Sequence, residues 1–262
     1  NMKNFTYHSA KDSKEATKLS SSNSAFLAGG MTTIPSMKLG LASYKDIIDI
    51  KGIKKLSGIK VSGKSVTIGA TTKHAEVANS KEVKKAIPSL ADLAEGIGDP
   101  AVRNRGTIGG SIANNDPAAD YPSACIALNA TIHTNSRKIE ASKFFSGMFE
   151  TALKKGELIE AVEFKIPDKS NYQKHPNPAS RYAVVGVYVA KNKNDVNVAV
   201  TGAKSSVYKD ENLSKALSKN FSASAVDGVK VSSSGMNTDI HASAEYRASL
   251  VATYAKKAIE AC

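Results

Sequence analysis

Residues 97–120 are the feature that most constrains this chain, because they interrupt the hydrophobic patterning on either side of them. Between residues 98 and 116 the sequence shows little periodicity and is rich in glycine, asparagine and aspartate. A long glycine-rich segment of this kind inside a compact domain is usually functional. The stretch is therefore the first candidate for a binding site.

The same stretch combines groups that suit a bound dinucleotide. Gly109 and Gly110 let the backbone approach a ligand closely, and their amides can converge on an anion. The flanking hydroxyls of Thr107 and Ser111 add donors for a pyrophosphate. A carboxylate such as that of Asp120 accepts hydrogen bonds from ribose or ribityl hydroxyls, although Asp120 could instead cap the helix predicted to follow it.

A second glycine pair, Gly29-Gly30, follows a short apolar run that is predicted to be a strand. Its amides and the hydroxyls of Thr32 and Thr33 offer a similar set of donors. Alone, this pair is explained better by a structural turn than by a binding site. No Gly-x-Gly-x-x-Gly fingerprint occurs in the sequence, so a Rossmann dinucleotide site is unsupported. The two glycine pairs must meet in space to form one site.

Residues 58–65 match the P-loop pattern, with glycines at both ends of the loop and Lys64-Ser65 at its close. That motif requires a helix after the lysine, so that backbone amides and the helix dipole face the phosphates. The residues that follow, 66–72, are instead rich in β-branched side chains and predict a strand. We interpret the string as a hairpin turn rather than a nucleotide-hydrolysis site.

Composition limits the classes of function. The net charge of +12 indicates an anionic partner in general, but the lysines are spread along the chain, arginine is rare and tryptophan is absent. A dedicated nucleic-acid surface usually clusters lysine with arginine and aromatic residues, so none is predicted. No stretch approaches the roughly 18 apolar residues of a membrane span, and no secretory signal is visible.

The cysteines and histidines predict no metal site on this chain. Two cysteines, Cys125 and Cys262, are too few for a disulfide framework, a four-cysteine zinc site or an iron–sulfur cluster. They point to a reducing compartment, which we take to be the cytoplasm. The five histidines are scattered, with no pair at metal-ligand spacing, and are interpreted as solvated or core residues.

The hydrophobic pattern predicts an α+β architecture. Residues 24–50 form a strand–helix–strand unit in which Pro35 opens the helix and Gly40 closes it. Helices are predicted at 80–97, with a break at Pro88, at 118–128, and after Asp239 at the C-terminus. Strands are predicted at 64–72, 130–134 and 157–166, and a hairpin at 182–202. The polar, proline-bearing residues 168–180 are predicted to be a linker.

The 97–120 string resembles the signature of the FAD-binding subunits of molybdenum hydroxylases, the group that contains the medium subunit of aerobic carbon monoxide dehydrogenase. It is also similar to the FAD domain of xanthine dehydrogenase. Residues 26–50, 68–76, 178–183 and 239–247 resemble further stretches of this family. The resemblance implies a two-lobed FAD-binding domain of the vanillyl-alcohol oxidase (PCMH) type, with lobes at 1–56 and 57–168. A C-terminal α+β domain is expected at 177–262.

The resemblance also implies which residues contact FAD. The two glycine segments would bind the pyrophosphate, and Asp120 the ribityl or ribose hydroxyls. Ile97 and Ile159 would line the flavin cleft, Lys174 would face the polar side of the flavin, and Tyr182 would lie near its isoalloxazine unless it is a core residue. The full set comprises Ala28, Gly29, Gly30, Met31, Thr32, Thr33, Ile97, Thr107, Ile108, Gly109, Gly110, Ser111, Asp120, Ile159, Lys174 and Tyr182. Arg103 and Arg105 would brace the loop or meet a partner subunit.

The function implied is that of an electron-transfer subunit with no catalytic residues of its own. A large subunit with a molybdenum cofactor would oxidise the substrate, and a small subunit with [2Fe–2S] clusters would pass electrons to FAD on this chain. The complex is expected to be a dimer of heterotrimers, with an external electron acceptor. The alternatives are a stand-alone FAD-dependent oxidoreductase of the same superfamily, a structural subunit that has lost FAD, and a polyanion-binding protein.

Overall fold

A parallel three-stranded sheet builds the N-terminal lobe of the protein, for which a computed structural model describes residues 2–31 and 33–262, without the side chains of Thr33, Pro35 and Ser36. The elements of this lobe are β1 (Thr6–Ser9), α1 (Ser13–Leu19), β2 (Ser24–Leu27), α2 (Thr33–Lys38) and β3 (Asp46–Asp49). The strand order is β1-β3-β2, with both pairs parallel. The predicted strand–helix–strand unit is confirmed, although its helix begins at Thr33 rather than at Pro35.

The second lobe contains an antiparallel five-stranded sheet with the order β4-β5-β10-β6-β7. Its elements are a 3-10 turn (Lys54–Leu56), β4 (Ile59–Ser62), β5 (Ser65–Gly69), α3 (His74–Asn79), α4 (Lys81–Ala86), α5 (Pro88–Glu95), α6 (Pro100–Arg103), α7 (Ile108–Asn114), α8 (Tyr121–Ala127), β6 (Thr131–Thr134), β7 (Lys138–Glu140), a second 3-10 turn (Ala141–Lys143), the small hairpin β8 (Phe145–Gly147) and β9 (Glu150–Thr151), and β10 (Ile159–Lys165). Pro88 stands at the first position of α5, so the predicted break between two helices is confirmed.

The P-loop-like string is a β-hairpin, as predicted. Strands β4 and β5 pair antiparallel, with Ser62 opposite Ser65. Gly63 turns the chain between them with a φ of 59°, a left-handed conformation that favours glycine. Because a strand and not a helix follows Lys64, the string lacks the helix N-terminus that a P-loop needs for a phosphate.

The glycine-rich stretch is more ordered than its sequence indicates. It contains the short helices α6 and α7, which begin at side-chain caps. Asp99 accepts a hydrogen bond from the Val102 amide, and Thr107 accepts one from the Gly110 amide. Asn115 ends α7 in a left-handed conformation, with a φ of 44°. Helices this short are set by their caps rather than by apolar periodicity, which is why the pattern did not predict them.

The C-terminal domain is a four-stranded antiparallel sheet, in the order β11-β12-β13-β14, packed against helices. Its elements are β11 (Lys169–Pro176), β12 (Ala183–Asn192), β13 (Asp195–Thr201), β14 (Tyr208–Lys209), α9 (Glu211–Lys219), α10 (Ala223–Asp227) and α11 (Ala244–Ala261). The predicted hairpin and C-terminal helix are confirmed. Ala248, Val251, Ala255 and Ile259 of α11 are buried, as their spacing predicts.

The prediction of a linker at 168–180 is wrong for its first half. Residues 169–176 form β11, the edge strand of the C-terminal sheet, so that sheet begins before residue 177. An edge strand tolerates polar side chains and a terminal proline, and Pro176 stands at its end. Only residues 177–182 remain as a turn between β11 and β12.

The C-terminal sheet extends the core of the second lobe. Tyr188, Ala190 and Ala199 pack into the same buried cluster as the helices and sheet of that lobe. The hydroxyls of Ser89 and Tyr188 lie 2.5 Å apart, which joins α5 to β12. This packing fixes β12 relative to α5. The predicted α+β class is confirmed.

Candidate functional site

A cleft of about 560 Å³ lies between the N-terminal lobe and the second lobe. Such a volume is typical of cofactor pockets, which enclose roughly 300–1,000 Å³. The cleft opens at the carboxyl ends of β2 and β3, since residues 28–31 follow β2 and Ile50 follows β3. Parallel strands commonly present ligand sites at this edge. The second lobe contributes residues that precede and begin α7, together with Asp120 and Ile159.

The two glycine segments meet in this cleft, as the sequence requires of a single site. A β-carbon placed on Gly29 would stand 2.1 Å from the carbonyl oxygen of Arg105 and 3.0 Å from the α-carbon of Gly106. The backbone of residues 105–106 therefore packs directly on Gly29. No larger residue fits at position 29 without separating the two segments.

The first glycine segment presents backbone donors to the cleft. Gly29 and Gly30 both line it, and Gly30 has a φ of 72°. Within the part of the chain that the structure describes, neither amide donates to an acceptor. Buried or half-buried amides are rarely left unpaired in folded proteins, so an unpaired pair facing a cleft fits an anionic ligand.

The second glycine segment is the first turn of α7 rather than a free loop. The amide of Gly109 donates to the carbonyl of Ala70, 2.9 Å away, and the amide of Gly110 donates to the Thr107 hydroxyl oxygen, 3.2 Å away. Because that oxygen acts as the acceptor, the hydrogen of the Thr107 hydroxyl remains available to a ligand oxygen. Thr107, Gly110 and Ser111 all line the cleft.

Ile108 does not line the cleft, although the sequence analysis placed it among the residues that contact FAD. Its side chain is fully buried in the core of the second lobe, together with that of Ile112. Its amide donates to the carbonyl of Thr72, 3.1 Å away. Since residues 108–114 form a helix, Ile108 and Ile112 share one face of it and point away from the cleft.

Asp120 lies at the edge of the cleft and is 5% exposed. The Tyr172 hydroxyl donates to Oδ1 over 2.5 Å, and the Lys174 ammonium donates to Oδ2 over 3.0 Å. Burial raises the pKa of the Asp120 carboxyl, and the charge of Lys174 and the bond from Tyr172 oppose this shift. Although Asp120 precedes α8, its side chain makes no capping bond to that helix. It is therefore directed at the cleft and at Lys174.

Apolar and aromatic side chains form the rest of the cleft. Ile97 and Ile159 both line it, as predicted, and Ala28 and Met31 lie beside the first glycine pair. Tyr182 lines the cleft with 48% of its surface exposed, so the alternative that it is a core residue is wrong.

Besides Ile108, three predicted contacts are not placed in the cleft lining by the described residues. Thr32 lies outside the described residues, and Thr33 begins α2 with a side chain that is not described. Lys174 lies behind the cleft wall, where its ammonium is bonded to Asp120 and to two backbone carbonyls.

His74 lines the cleft and was not singled out by the sequence analysis. Its ring packs against that of Tyr121, with centroids 5.3 Å apart, and its Nδ1 has no hydrogen-bond partner in the structure as described. Burial, together with the smaller effect of the charge of Arg103, lowers the pKa of His74 to about 4. His74 is therefore neutral near pH 7. Its place two residues after Thr72, in a stretch that resembles the family, was the available signal.

Arg103 braces the loop, as expected. Its Nη1 donates to the carbonyls of Ile97 and Gly98, over 3.1 and 2.8 Å.

In the described chain, His, Cys, Asp and Glu side chains form no cluster of three or more that could hold a metal ion. Nor is any helix of the described residues long and apolar enough to cross a bilayer. Backbone amides, hydroxyls, the His74 ring and the carboxylates of Asp116, Asp120 and Glu157 line the cleft.

Comparison with known proteins is consistent with this geometry. Residues 3–168 match the family described as the FAD binding domain in molybdopterin dehydrogenase. The matched segment covers both lobes and ends one residue before β11.

Two curated relatives are similar over most of their length. The glyceraldehyde dehydrogenase medium chain of Sulfolobus acidocaldarius is 39% identical over 194 residues, which are 71% of this chain and 69% of the relative. The carbon monoxide dehydrogenase medium chain of Hydrogenophaga pseudoflava is 32% identical over 278 residues, covering 98% of this chain and 96% of the relative. A chain in a solved structure of carbon monoxide dehydrogenase from the same organism matches with a TM-score of 0.90 at 30% identity. That match covers 99% of this chain and 97% of the other.

Proposed function

We propose that this chain, which belongs to the family of FAD-binding domains of molybdopterin dehydrogenases, is the FAD-carrying electron-transfer subunit of a molybdenum hydroxylase. The family and the curated relatives make it an oxidoreductase subunit that binds FAD. Within the complex, it would receive electrons from partner [2Fe–2S] clusters and deliver them to an external acceptor. Bound FAD supplies the redox chemistry, since it exchanges electrons singly or in pairs.

The observation that carries this proposal is the junction of the two glycine segments. The amides of Gly29 and Gly30 donate to no acceptor among the described residues, and both glycines line the same cleft as Thr107 and the first turn of α7. A pyrophosphate brings two negative charges and several acceptor oxygens, and neutral donors of this kind match them. The cleft thus fits the group that the family binds.

The remaining cleft residues would orient the cofactor along its length. Asp120 would accept hydrogen bonds from ribityl or ribose hydroxyls, because each carboxylate oxygen retains a free lone pair beside its bond to Tyr172 or Lys174. Ile97 and Ile159 would line the isoalloxazine pocket, and Tyr182 would cover one face of the ring and limit solvent access there.

The relatives, more than this chain alone, support the proposed assembly. They are named medium chains and medium subunits, of glyceraldehyde dehydrogenase, carbon monoxide dehydrogenase and nicotine 6-hydroxylase. We therefore expect a large subunit that carries the molybdenum cofactor and a small subunit that carries the iron–sulfur clusters, assembled as a dimer of heterotrimers. The two free cysteines, Cys125 and Cys262, fit a reducing compartment such as the cytoplasm.

FAD binding is tested on the purified chain. After addition of FAD and gel filtration, the protein fraction should show flavin absorption bands at about 370 and 450 nm, which belong to the cofactor itself. Gly29→Ala should lose these bands because its methyl group collides with the Arg105 carbonyl. Gly52→Ala is the matched control, because a β-carbon there meets nothing within 4 Å. A wild-type chain without flavin bands would refute the proposal.

Electron transfer is tested on the co-expressed complex. Carbon monoxide, glyceraldehyde and nicotine, the compounds named by relatives, are offered with NAD⁺, a quinone or oxygen as the acceptor. With the wild-type chain, a substrate that is turned over should reduce the acceptor. With Gly29→Ala, it should still bleach the iron–sulfur absorption but should not reduce the acceptor.

The alternatives give different results in the same assays. A stand-alone flavoenzyme would turn over substrate without partner chains. A polyanion-binding protein would show salt-dependent nucleic-acid binding without a yellow cofactor.

A further inference from the structure

The ammonium group of Lys174 uses all three of its hydrogen-bond donors within the protein. Nζ lies 2.9 Å from the Gly96 carbonyl oxygen, 3.0 Å from Asp120 Oδ2 and 2.8 Å from the Arg181 carbonyl oxygen. The Lys174 side chain is only 10% exposed. Since an ammonium group has three donors and no acceptor, none is left for a ligand.

The three partners of Lys174 belong to separate parts of the cleft wall. Gly96 ends α5 and directly precedes Ile97, whose side chain lines the cleft. Asp120 precedes α8 and faces the cleft. Arg181 belongs to the turn at 177–182, which carries Tyr182 to the mouth of the cleft. One cation therefore joins the carbonyl end of a helix, a buried carboxylate and a turn.

The turn at 177–182 is held in a conformation that needs support. Arg181 has a φ of 64°, in the left-handed region that non-glycine residues rarely adopt without compensating contacts. Within the turn, the Asn177 amide donates to the Tyr182 carbonyl and the Arg181 amide donates to the Asn177 carbonyl. Tyr182 itself is half exposed, so its ring contributes only part of the packing that would hold it.

Few other contacts tie this turn to the cleft wall. The Arg181 guanidinium donates to the Gly98 carbonyl over a longer distance, 3.2 Å, and Asn177 contacts the exposed His241. The bond from Lys174 to the Arg181 carbonyl is shorter, at 2.8 Å, and the same ammonium is also held by Asp120 and by the Gly96 carbonyl. Lys174 is thus the main internal anchor of the turn.

We propose that Lys174 is a positioning residue that locks the 177–182 turn, and with it Tyr182, against Asp120 and the end of α5, without contacting the flavin itself. This replaces the sequence-based expectation that Lys174 faces the polar side of the flavin. The inference rests on the proposed function only in taking the cleft as the flavin site.

The first experiment needs no FAD. Amide hydrogen exchange is measured by mass spectrometry on the FAD-free full-length chain, for wild type, Lys174→Met and Lys169→Met. Lys169 is the matched control, because it is an exposed lysine at the start of the same strand, β11. We expect exchange in the peptide that covers the turn to be at least tenfold faster in Lys174→Met, and unchanged in Lys169→Met. Equal exchange in the two variants would overturn the proposal.

The second experiment separates a lock from a direct contact. Iodide quenching of flavin fluorescence is compared in wild type, Lys174→Met, Tyr182→Ala and the double variant. A lock that acts through Tyr182 predicts that Lys174→Met increases quenching in the wild-type background and adds nothing once Tyr182 is removed. If Lys174→Met instead weakens FAD binding equally in both backgrounds, then the lysine contacts the flavin and the inference is wrong.

A further variant tests the proposal in case Lys174→Met does not fold. Lys174→Ala leaves a space that propylammonium fills, because that ion supplies the missing three carbons and the charged nitrogen. Added propylammonium should restore the exchange protection of the turn, and failure to do so contradicts the lock. The exchange results remain informative even if the wild-type chain fails to bind FAD, so the two proposals fail independently.

Discussion

Gly109 lies against Ala70 so closely that a β-carbon on the glycine would stand 2.6 Å from the β-carbon of Ala70 and 2.8 Å from its carbonyl oxygen. Its neighbour differs: a β-carbon on Gly110 would meet only the Thr107 hydroxyl oxygen, at 3.0 Å. The first glycine is required for α7 to pack on the end of β5. The second is exposed on the cleft side, where the proposed pyrophosphate site lies.

The two glycines should therefore give opposite results when each is changed to alanine. Gly109→Ala forces the backbone apart and should lower the free energy of unfolding by about 1–3 kcal/mol, as overpacking usually does. Gly110→Ala should leave stability within about 1 kcal/mol, since alanine favours a helix. It should nonetheless weaken FAD binding at least tenfold, because its methyl group occupies the approach of the phosphates.

Urea unfolding and FAD titration on the same preparations measure both effects. Normal FAD affinity in Gly110→Ala would remove the first turn of α7 from the binding site. Normal stability in Gly109→Ala would contradict the packing against Ala70.

The parts of the fold that were predicted from sequence have long or alternating apolar patterns. The hairpin at 182–202 and the face of α11 are examples, because buried β-branched and alanine positions repeat at fixed spacing. The P-loop-like string was also interpreted correctly as a hairpin, since the β-branched residues after Lys64 predicted a strand. The sequence pattern did not predict the short helices α6 and α7, because each depends on a single capping residue, Asp99 or Thr107.

The candidate site was predictable to the extent that it uses backbone. The glycine pairs could be identified in the sequence because a close backbone approach, such as that of Gly29 to Arg105, requires glycine. The positions of the site's side chains were harder to predict, because the direction of a side chain depends on elements that are distant in the sequence. The side chain of Ile108 lies in the core because residues 108–114 form a helix. The ammonium of Lys174 donates to Gly96, Asp120 and Arg181, and no local sequence pattern indicates that these three residues lie together.

The stability of the chain should fall as the pH is lowered, because His74 is buried in its neutral form. Its pKa is about 4 in the folded chain, against 6.5 ordinarily, so the unfolded chain binds more protons between these values. Stability is then fully present above pH 6.5 and is lost as the pH falls to 4. The size of that loss is about 3 kcal/mol, from the difference between the two pKa values.

Urea unfolding at intervals between pH 7 and pH 4 measures this loss. His74→Gln should flatten the profile over that range, while the exposed His241→Gln should leave it as in wild type. A profile that is the same in all three proteins would show that His74 is protonated without cost, and hence that it is not buried as described.

The ion pair between Arg137 and Glu157 should stabilise the wall of the cleft, to which Glu157 contributes. Arg137 donates to both carboxylate oxygens, from Nε over 2.8 Å and from Nη2 over 2.9 Å. This bidentate contact is the main reason that the pKa of Glu157 is lowered to about 2, with further bonds from the Lys154 amide and from Thr134 and Ser136. The resulting stability is present above pH 4.5 and is lost as the pH falls towards 2.

Arg137→Met would leave the Glu157 carboxylate almost fully buried, at 3% side-chain exposure, without its charged partner. Removing one member of a buried pair usually costs about 3–5 kcal/mol, and the partial exposure of Arg137 places the expected loss near the lower end. Lys143→Met is the control, because it breaks the exposed pair with Glu140 and should change stability by less than about 1 kcal/mol. Arg137→Met/Glu157→Gln should recover part of the loss, because the uncompensated charge is then gone. If urea unfolding finds Arg137→Met as stable as Lys143→Met, the three remaining donors to Glu157 suffice alone, and the ion pair is not what holds this side of the cleft.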